Sequence, residues 1–248
     1  KMIILFIAVF LGVLIPLIFI LGKRIIFNRI RHSEELKVIT NIPIIGKINH
    51  NSKPEQNIVL KYPLSAVAES FHGLRSNIVY YLMGKKNQII QVTSTIPGEG
   101  KTFTALNLAT SFAHTNNRTI IVAFDLRRPK LSLYTAEEIK SSPGLSSYLI
   151  NKSELEDIIV KTDIQNLDII DAGEIPPNPI ELISSNKTIE LMERLRDMYD
   201  YIIIDTPPFG LVTDAFLLMQ YTDLKLYISR LGVTKKRLFN SVVEEIEQ

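Results

Sequence analysis

The sequence predicts an α/β protein: a doubly wound, mostly parallel sheet with helices on both faces, preceded by one membrane-crossing helix. Three observations predict it. Strand-like and helical runs alternate from Asn87 onward, the pattern that right-handed β-α-β crossovers turn into a parallel sheet buried on both faces. A glycine-rich stretch, TSTIPGEGKT at residues 93–102, stands between the first strand-like run and a helical one. Residues 2–22, MIILFIAVFLGVLIPLIFILG, carry no charge over about 20 residues, the length a helix needs to cross a bilayer.

Sixteen residues of that first segment are Leu, Ile, Phe or Val. On an insertion scale they sum to on the order of −5 to −10 kcal/mol, which favours a spanning helix. Pro16 can kink such a helix without forbidding it. A signal peptide would have a shorter apolar core and a small-residue cleavage site, whereas KRIIFNRIRH follows here. Lys23, Arg24, Arg29 and Arg31 lie on the C-terminal side against Lys1 on the other, which places the chain after Gly22 in the cytoplasm.

Residues 23–61 read as a juxtamembrane linker, polar from His32 to Lys61 apart from the island IPIIGKI. Residues 62–248 read as the folded domain. LSAVAESFHGLRSNIVYYLM has the periodicity of an amphipathic helix ending at Gly84. NQIIQVTS is a strand candidate, TFTALNLATSFAHT a helix, RTIIVAFD a strand. SELEDIIVKT opens on a capping-box pattern, Ser153 with Glu156. LDIIDAG is strand-like, NPIELISSNKTIELMERLRDMY gives one or two helices, and YIIID is a short buried strand. TDAFLLMQY, LKLYIS and TKKRLFNSVVEEIEQ complete the order as helix, strand, helix. Lys1 is no initiator and the last helix stops where a further strand is expected, so the chain reads as part of a longer one.

With 46% hydrophobic and 22% charged residues, nothing suggests bulk disorder. A net charge of +2 gives no basis for a nucleic-acid partner. The absence of cysteine removes disulfides and thiol nucleophiles.

The glycine stretch carries the chemistry. A loop that binds phosphate must turn several backbone N–H groups toward one anion, and side chains would obstruct that. Gly98 and Gly100 open the loop, Lys101 supplies charge for the β- and γ-phosphates, and Thr102 supplies a hydroxyl for Mg²⁺ at the start of a helix. Thr95 stands where the general pattern has its first glycine. An ordinary turn rich in proline and glycine is the competing possibility, which the strand-before, helix-after context disfavours.

Mg²⁺ also needs carboxylates at neighbouring strand ends. Asp205 closes YIIID and Asp125 closes IIVAFD, although an isolated aspartate there is more often a turn residue or cap. Asp214 reads as a helix cap. Arg127 and Arg128 are either phosphate ligands or a solvated surface pair. His72 and His114 lack partners at ligand spacing and read as structural.

Taken in order, ESFHGLRSNI, TSTIPGEGKT, IIVAFDLRRPKL, GLSSYLI, AGEIPPNPIEL and YDYIIIDTPPFGLVTDA resemble the bacterial tyrosine autokinases of capsule and exopolysaccharide synthesis, over essentially the whole chain. The resemblance implies a P-loop NTPase-like fold that binds ATP and Mg²⁺. It implies that Pro97, Gly98, Glu99, Gly100, Lys101 and Thr102 hold the phosphates, that Thr102, Asp125 and Asp205 serve the metal, and that Lys101, Asp125 and Asp205 are catalytic. It further implies a chain in the bacterial inner membrane, with its domain cytoplasmic. There it forms a ring-like homo-oligomer with contacts at Glu69 and Arg75, phosphorylates itself in trans, and partners the polysaccharide polymerisation and export machinery.

Three positions depart from the family pattern. Ala123 replaces the first aspartate of a pair, of which Asp125 is the second; alanine can neither ligate metal nor accept a hydroxyl proton. His72 replaces the middle basic residue of the oligomer motif, and no tyrosine follows Tyr227, where the family has its acceptor cluster. Two functions therefore stay open, the autokinase and a non-catalytic scaffold whose nucleotide state controls assembly. A partition-type ATPase would carry lysine at position 96, which is Ile96.

Overall fold

A computed structural model of the chain describes residues 2–3, 10–18, 28–131, 139, 141–210 and 213–246. They fall into two compact units, Pro43–Ser229 and a smaller one formed by Lys1–Ile42 with Arg230–Gln248.

The larger unit is built on a six-stranded sheet in the order β3-β4-β2-β5-β1-β6, from β1 (Gln88–Ser94), β2 (Thr119–Ala123), β3 (Val160–Lys161), β4 (Leu167–Ile170), β5 (Tyr201–Asp205) and β6 (Leu224–Ile228). Every pairing is parallel except β3 with β4. The mostly parallel sheet matches the expectation, and the reason is compositional. β2 and β5 are buried along their whole length and β1 beyond its first residue, so both faces must be apolar, as TIIVA and YIIID are. The flanking strand β6 is only partly buried.

Helices α2 (Ile58–Lys61), α3 (Ala66–Tyr81), α4 (Lys101–Ala113), α5 (Gly144–Leu149), α6 (Leu155–Ile158), α7 (Pro179–Ile183), α8 (Asn186–Met198) and α9 (Asp214–Met219) belong to this unit. α3 starts on Ser65, whose hydroxyl accepts from Ala68 N. α4 is buried at eleven of its thirteen positions, so Asn107, Thr110 and Ser111 lie inside and must be satisfied there. The capping box is displaced by one residue from expectation. Glu154 N donates to Asp157 Oδ2 at 3.0 Å, while the Ser153 hydroxyl pairs with that of Ser147. Either register satisfies the helix start, and the serine is taken by a tertiary partner.

Residues 43–61, expected as linker, lie within the larger unit. Ile58 and Val59 are in its core, with Ile45 and Ile48 packed against it. Val59 N donates to Asn107 Oδ1 at 3.0 Å, and Asn107 Nδ2 donates to Gln56 O at 2.7 Å.

In the smaller unit, Ile30 N donates to Thr234 O and Gly232 N to Ile30 O. Lys236 of α10 (Lys236–Ile246) meets Glu35 of α1 (Ser33–Ile39) at 2.6 Å. Residues 10–18 are helical and mostly exposed. The span expected over residues 2–22 lies in large part outside the described residues, and among those described no helix is long and apolar enough to cross a membrane.

Candidate functional site

The strand order fixes where a ligand can sit. From β1 the chain crosses past β5 to reach β2; from β5 it crosses past β1 to reach β6. The two connections diverge between β1 and β5, and a crevice opens at their carboxyl ends. The glycine loop leaves β1 there, and Asp205 ends β5, in register with Val92.

Gly98 and Gly100 have φ of +86° and +101°, left-handed values that strain any residue with a side chain. A Cβ added at either would meet none of the described residues within 4 Å, so it is the backbone conformation that demands glycine. The loop holds its shape from within. Ile96 N donates to Glu99 Oε2 at 2.8 Å, and the Ser94 hydroxyl donates to Ile96 O at 3.0 Å. The Thr95 hydroxyl pairs with the Tyr227 phenol at 2.7 Å. Gly210 N donates to Thr95 O at 3.1 Å, an approach so close that a Cβ on Gly210 would stand 2.4 Å from that oxygen.

Lys101 and Thr102 open α4 at the end of this loop. The Thr102 hydroxyl donates to Asp205 Oδ2 at 2.6 Å. The other carboxylate oxygen, Oδ1, is buried with no hydrogen-bond partner among the described residues. Burial pushes the Asp205 carboxyl from its ordinary 3.8 up to about 6, against the Thr102 hydrogen bond and the Lys101 charge. Burial lowers the Lys101 ammonium, opposed by Asp205, Asp125 and Glu99. Asp125 lies two residues beyond the end of β2 rather than on it. Its Oδ1 accepts from Arg128 N at 3.0 Å, so it is a turn residue as well as a neighbour in charge of Lys101. Burial raises it, opposed first by its backbone hydrogen bonds and then by Lys101.

An orphaned buried carboxylate oxygen is costly and calls for a partner. A divalent cation coordinated through oxygen supplies one, and the open loop with its buried ammonium suits a polyphosphate, so the residues present fit both groups. Among the described residues no group of three or more His, Asp or Glu could hold a metal alone.

Arg127 is held by a buried carboxylate rather than standing as half of a solvated pair. Its Nε and Nη2 donate to Asp214 Oδ2 and Oδ1 at 2.7 and 3.1 Å, and Asp214 is fully buried. This fork ties the turn carrying Asp125 to the start of α9. Pro97 is exposed at the loop's crest and Glu99 is buried beneath it. On α3, Arg75 Nη1 donates to Ser111 O at 2.8 Å and His72 Nδ1 pairs with the Ser111 hydroxyl at 3.0 Å, while Glu69 is exposed. Burial and then the Arg75 charge lower the His72 imidazole. The sequence had pointed to neither Tyr227 nor the Arg127–Asp214 fork, because their partners lie 132 and 87 positions away.

A switch-point phosphate loop with lysine, threonine and a strand-end aspartate makes this a P-loop NTPase-like protein. A family model described as an AAA domain matches residues 87–223. The tyrosine-protein kinase ptk of Acinetobacter johnsonii is 31% identical over 100% of this chain, which spans 35% of that relative's length. The tyrosine-protein kinase YwqD of Bacillus subtilis is 34% identical over 76% of this chain and 79% of its own. The solved BceF tyrosine kinase domain superposes with a TM-score of 0.80 at 28% identity, covering 88% of this chain and 93% of that one. The chain belongs to the bacterial tyrosine-protein kinases.

Proposed function

We propose that the chain is a membrane-anchored, ATP-dependent protein-tyrosine autokinase that regulates capsule and exopolysaccharide polymerisation and export. One observation carries it: the Thr102–Asp205 hydrogen bond beside buried Lys101, with the second Asp205 oxygen unpartnered among the described residues. In this reading the backbone from Pro97 through Gly98, Glu99 and Gly100 cradles the triphosphate of ATP. Lys101 neutralises its terminal phosphates, and Thr102 with Asp205 holds Mg²⁺. Asp125 supports the metal or receives the incoming phenol. Bound Mg²⁺ supplies charge neutralisation on the transferred phosphoryl group.

The chain's own residues do the positioning, which accounts for most of the rate in such transfers. Glu99 keeps the loop folded back on Ile96. Arg127 holds the Asp125 turn on Asp214. Lys101 is disfavoured as a cation by burial and favoured by three acidic neighbours, and a phosphate anion adds to the second effect. Residues 1–22 anchor the chain in the bacterial inner membrane, 23–42 link, and the unit from Pro43 to Ser229 carries the kinase in the cytoplasm. Glu69 and Arg75 contact a neighbouring subunit in a ring whose members phosphorylate one another. The relatives named as tyrosine-protein kinases support the activity, and the uncharged residues 2–22 with their basic C-terminal flank support the anchor.

Ala123 favours a second reading, the ATP-binding scaffold. It pairs in register with Asp205 on the neighbouring strand, so a buried methyl stands where an aspartate would share that carboxylate's face. One experiment tests both: full chain, Mg²⁺ and γ-labelled ATP, with Lys101→Ala and Ala123→Asp alongside. The kinase predicts labelled tyrosine that Lys101→Ala abolishes while keeping native circular dichroism, and comparable labelling with Ala123→Asp. A near-silent parent with a large gain in Ala123→Asp selects the scaffold. No label in any of the three overturns the kinase.

A further inference from the structure

We propose that Tyr80 and Tyr81, at the end of α3, are phosphate acceptors served by a second copy of this chain; this rests on the kinase activity proposed above. An acceptor needs a phenol that reaches solvent and is not already engaged. The sequence has nine tyrosines, of which Tyr134 lies outside the described residues. Tyr148, Tyr199 and Tyr201 are buried. The Tyr62 hydroxyl donates to Glu55 Oε1 and that of Tyr227 pairs with Thr95. Tyr221 is half-buried. Tyr80 and Tyr81 are 82% and 47% exposed, with rings meeting edge to face at 6.3 Å.

Their place in the fold decides which site can reach them. Near the start of α4, Phe103 meets Phe71 of α3 at 5.7 Å. Near its end, Ser111 O accepts from Arg75. α3 therefore runs along α4 away from the phosphate loop, and Tyr80 and Tyr81 lie beyond Arg75 in that direction. The chain then turns into Gln88, where β1 begins. The loop leaves the opposite end of β1, which at about 3.3 Å per residue is about 20 Å distant. A folded chain cannot bring these phenols to its own Lys101 and Asp205, whereas a second copy can present them. Transfer is thus bimolecular. The phenolic oxygen bonds to the γ-phosphorus of ATP, the bond from that phosphorus to the β–γ bridging oxygen breaks, ADP leaves, and the phenolic proton passes to water.

The test mixes two full-length chains with Mg²⁺ and γ-labelled ATP. One carries Lys101→Ala with both tyrosines intact; the other is active and carries Tyr80→Phe and Tyr81→Phe. A glutamate–tyrosine copolymer reports kinase activity separately. The expected result is copolymer labelling undiminished in the double phenylalanine variant, with phosphate mapped by mass spectrometry to Tyr80 or Tyr81 of the Lys101→Ala chain. On its own, the chain with both phenylalanines should incorporate far less label than the unaltered protein. Copolymer labelling with no phosphate at either position overturns the acceptor site and leaves the kinase standing. Labelling of neither copolymer nor chain overturns both.

Discussion

Asp205 is costly to keep ionised without a ligand, since one oxygen rests on Thr102 and the other has no partner among the described residues. Its carboxyl is pushed up to about 6 from 3.8. Between about pH 4 and about pH 6 the folded chain therefore keeps a proton that the unfolded chain has released, and stability falls as pH rises across that window. Above it the loss stays constant, at on the order of 3 kcal/mol. Asp205→Asn keeps an acceptor for Thr102 without the titration. Urea unfolding without Mg²⁺ or nucleotide should find this variant gaining on the parent through the window and more stable at neutral pH. Parallel curves for the two proteins from about pH 4 to about pH 7 would refute the cost assigned to this carboxylate. The loop's lysine and threonine and the acid at the end of YIIID were legible because each needs only local spacing. Glu99 turning inward and Thr95 binding Tyr227 were not, since those roles depend on where distant residues arrive.

At the scale of elements, continuous apolar runs made β1, β2 and β5 readable, and their burial follows from that composition. Residues 43–61 misled because their polarity resembles that of a solvated linker. Their attachment lies on the partner helix, where buried Asn107 bonds both Val59 N and Gln56 O and the Thr110 hydroxyl accepts from Asn57 Nδ2. Only the folded α4 shows why its interior tolerates polar residues. Asn107→Leu leaves the buried Val59 N–H and the part-buried Gln56 carbonyl without this partner, at a cost of about 1–3 kcal/mol. The urea midpoint should drop accordingly. Limited proteolysis should cut between residues 43 and 61 before the sheet is attacked. Unchanged protection of that segment would show that Ile58 and Val59 hold it by apolar packing alone.

For the whole molecule, strand alternation predicted a parallel sheet, but the order that brings β5 beside β1 appears only in the fold, and the crevice depends on it. α4 links that crevice to the core: its first two residues face the ligand site and most of the remainder is buried. Ligand binding at its start should therefore register in global stability. Nucleotide at about one hundred times its Kd adds about 2.7 kcal/mol. For a unit of this size that raises Tm by about 5–10 °C. Mg²⁺ with ATP should produce the full shift. Mg²⁺ alone should produce little, because Asp205 and Asp125 without phosphate oxygens offer too few ligands. Lys101→Ala and Thr102→Val should each remove most of the shift measured against that variant's own ligand-free Tm, which Thr102→Val lowers by removing the hydrogen bond to Asp205. A shift from Mg²⁺ alone as large as that from Mg²⁺ with ATP would mean that the carboxylates hold the cation unaided, and the phosphate role of the loop would have to be abandoned.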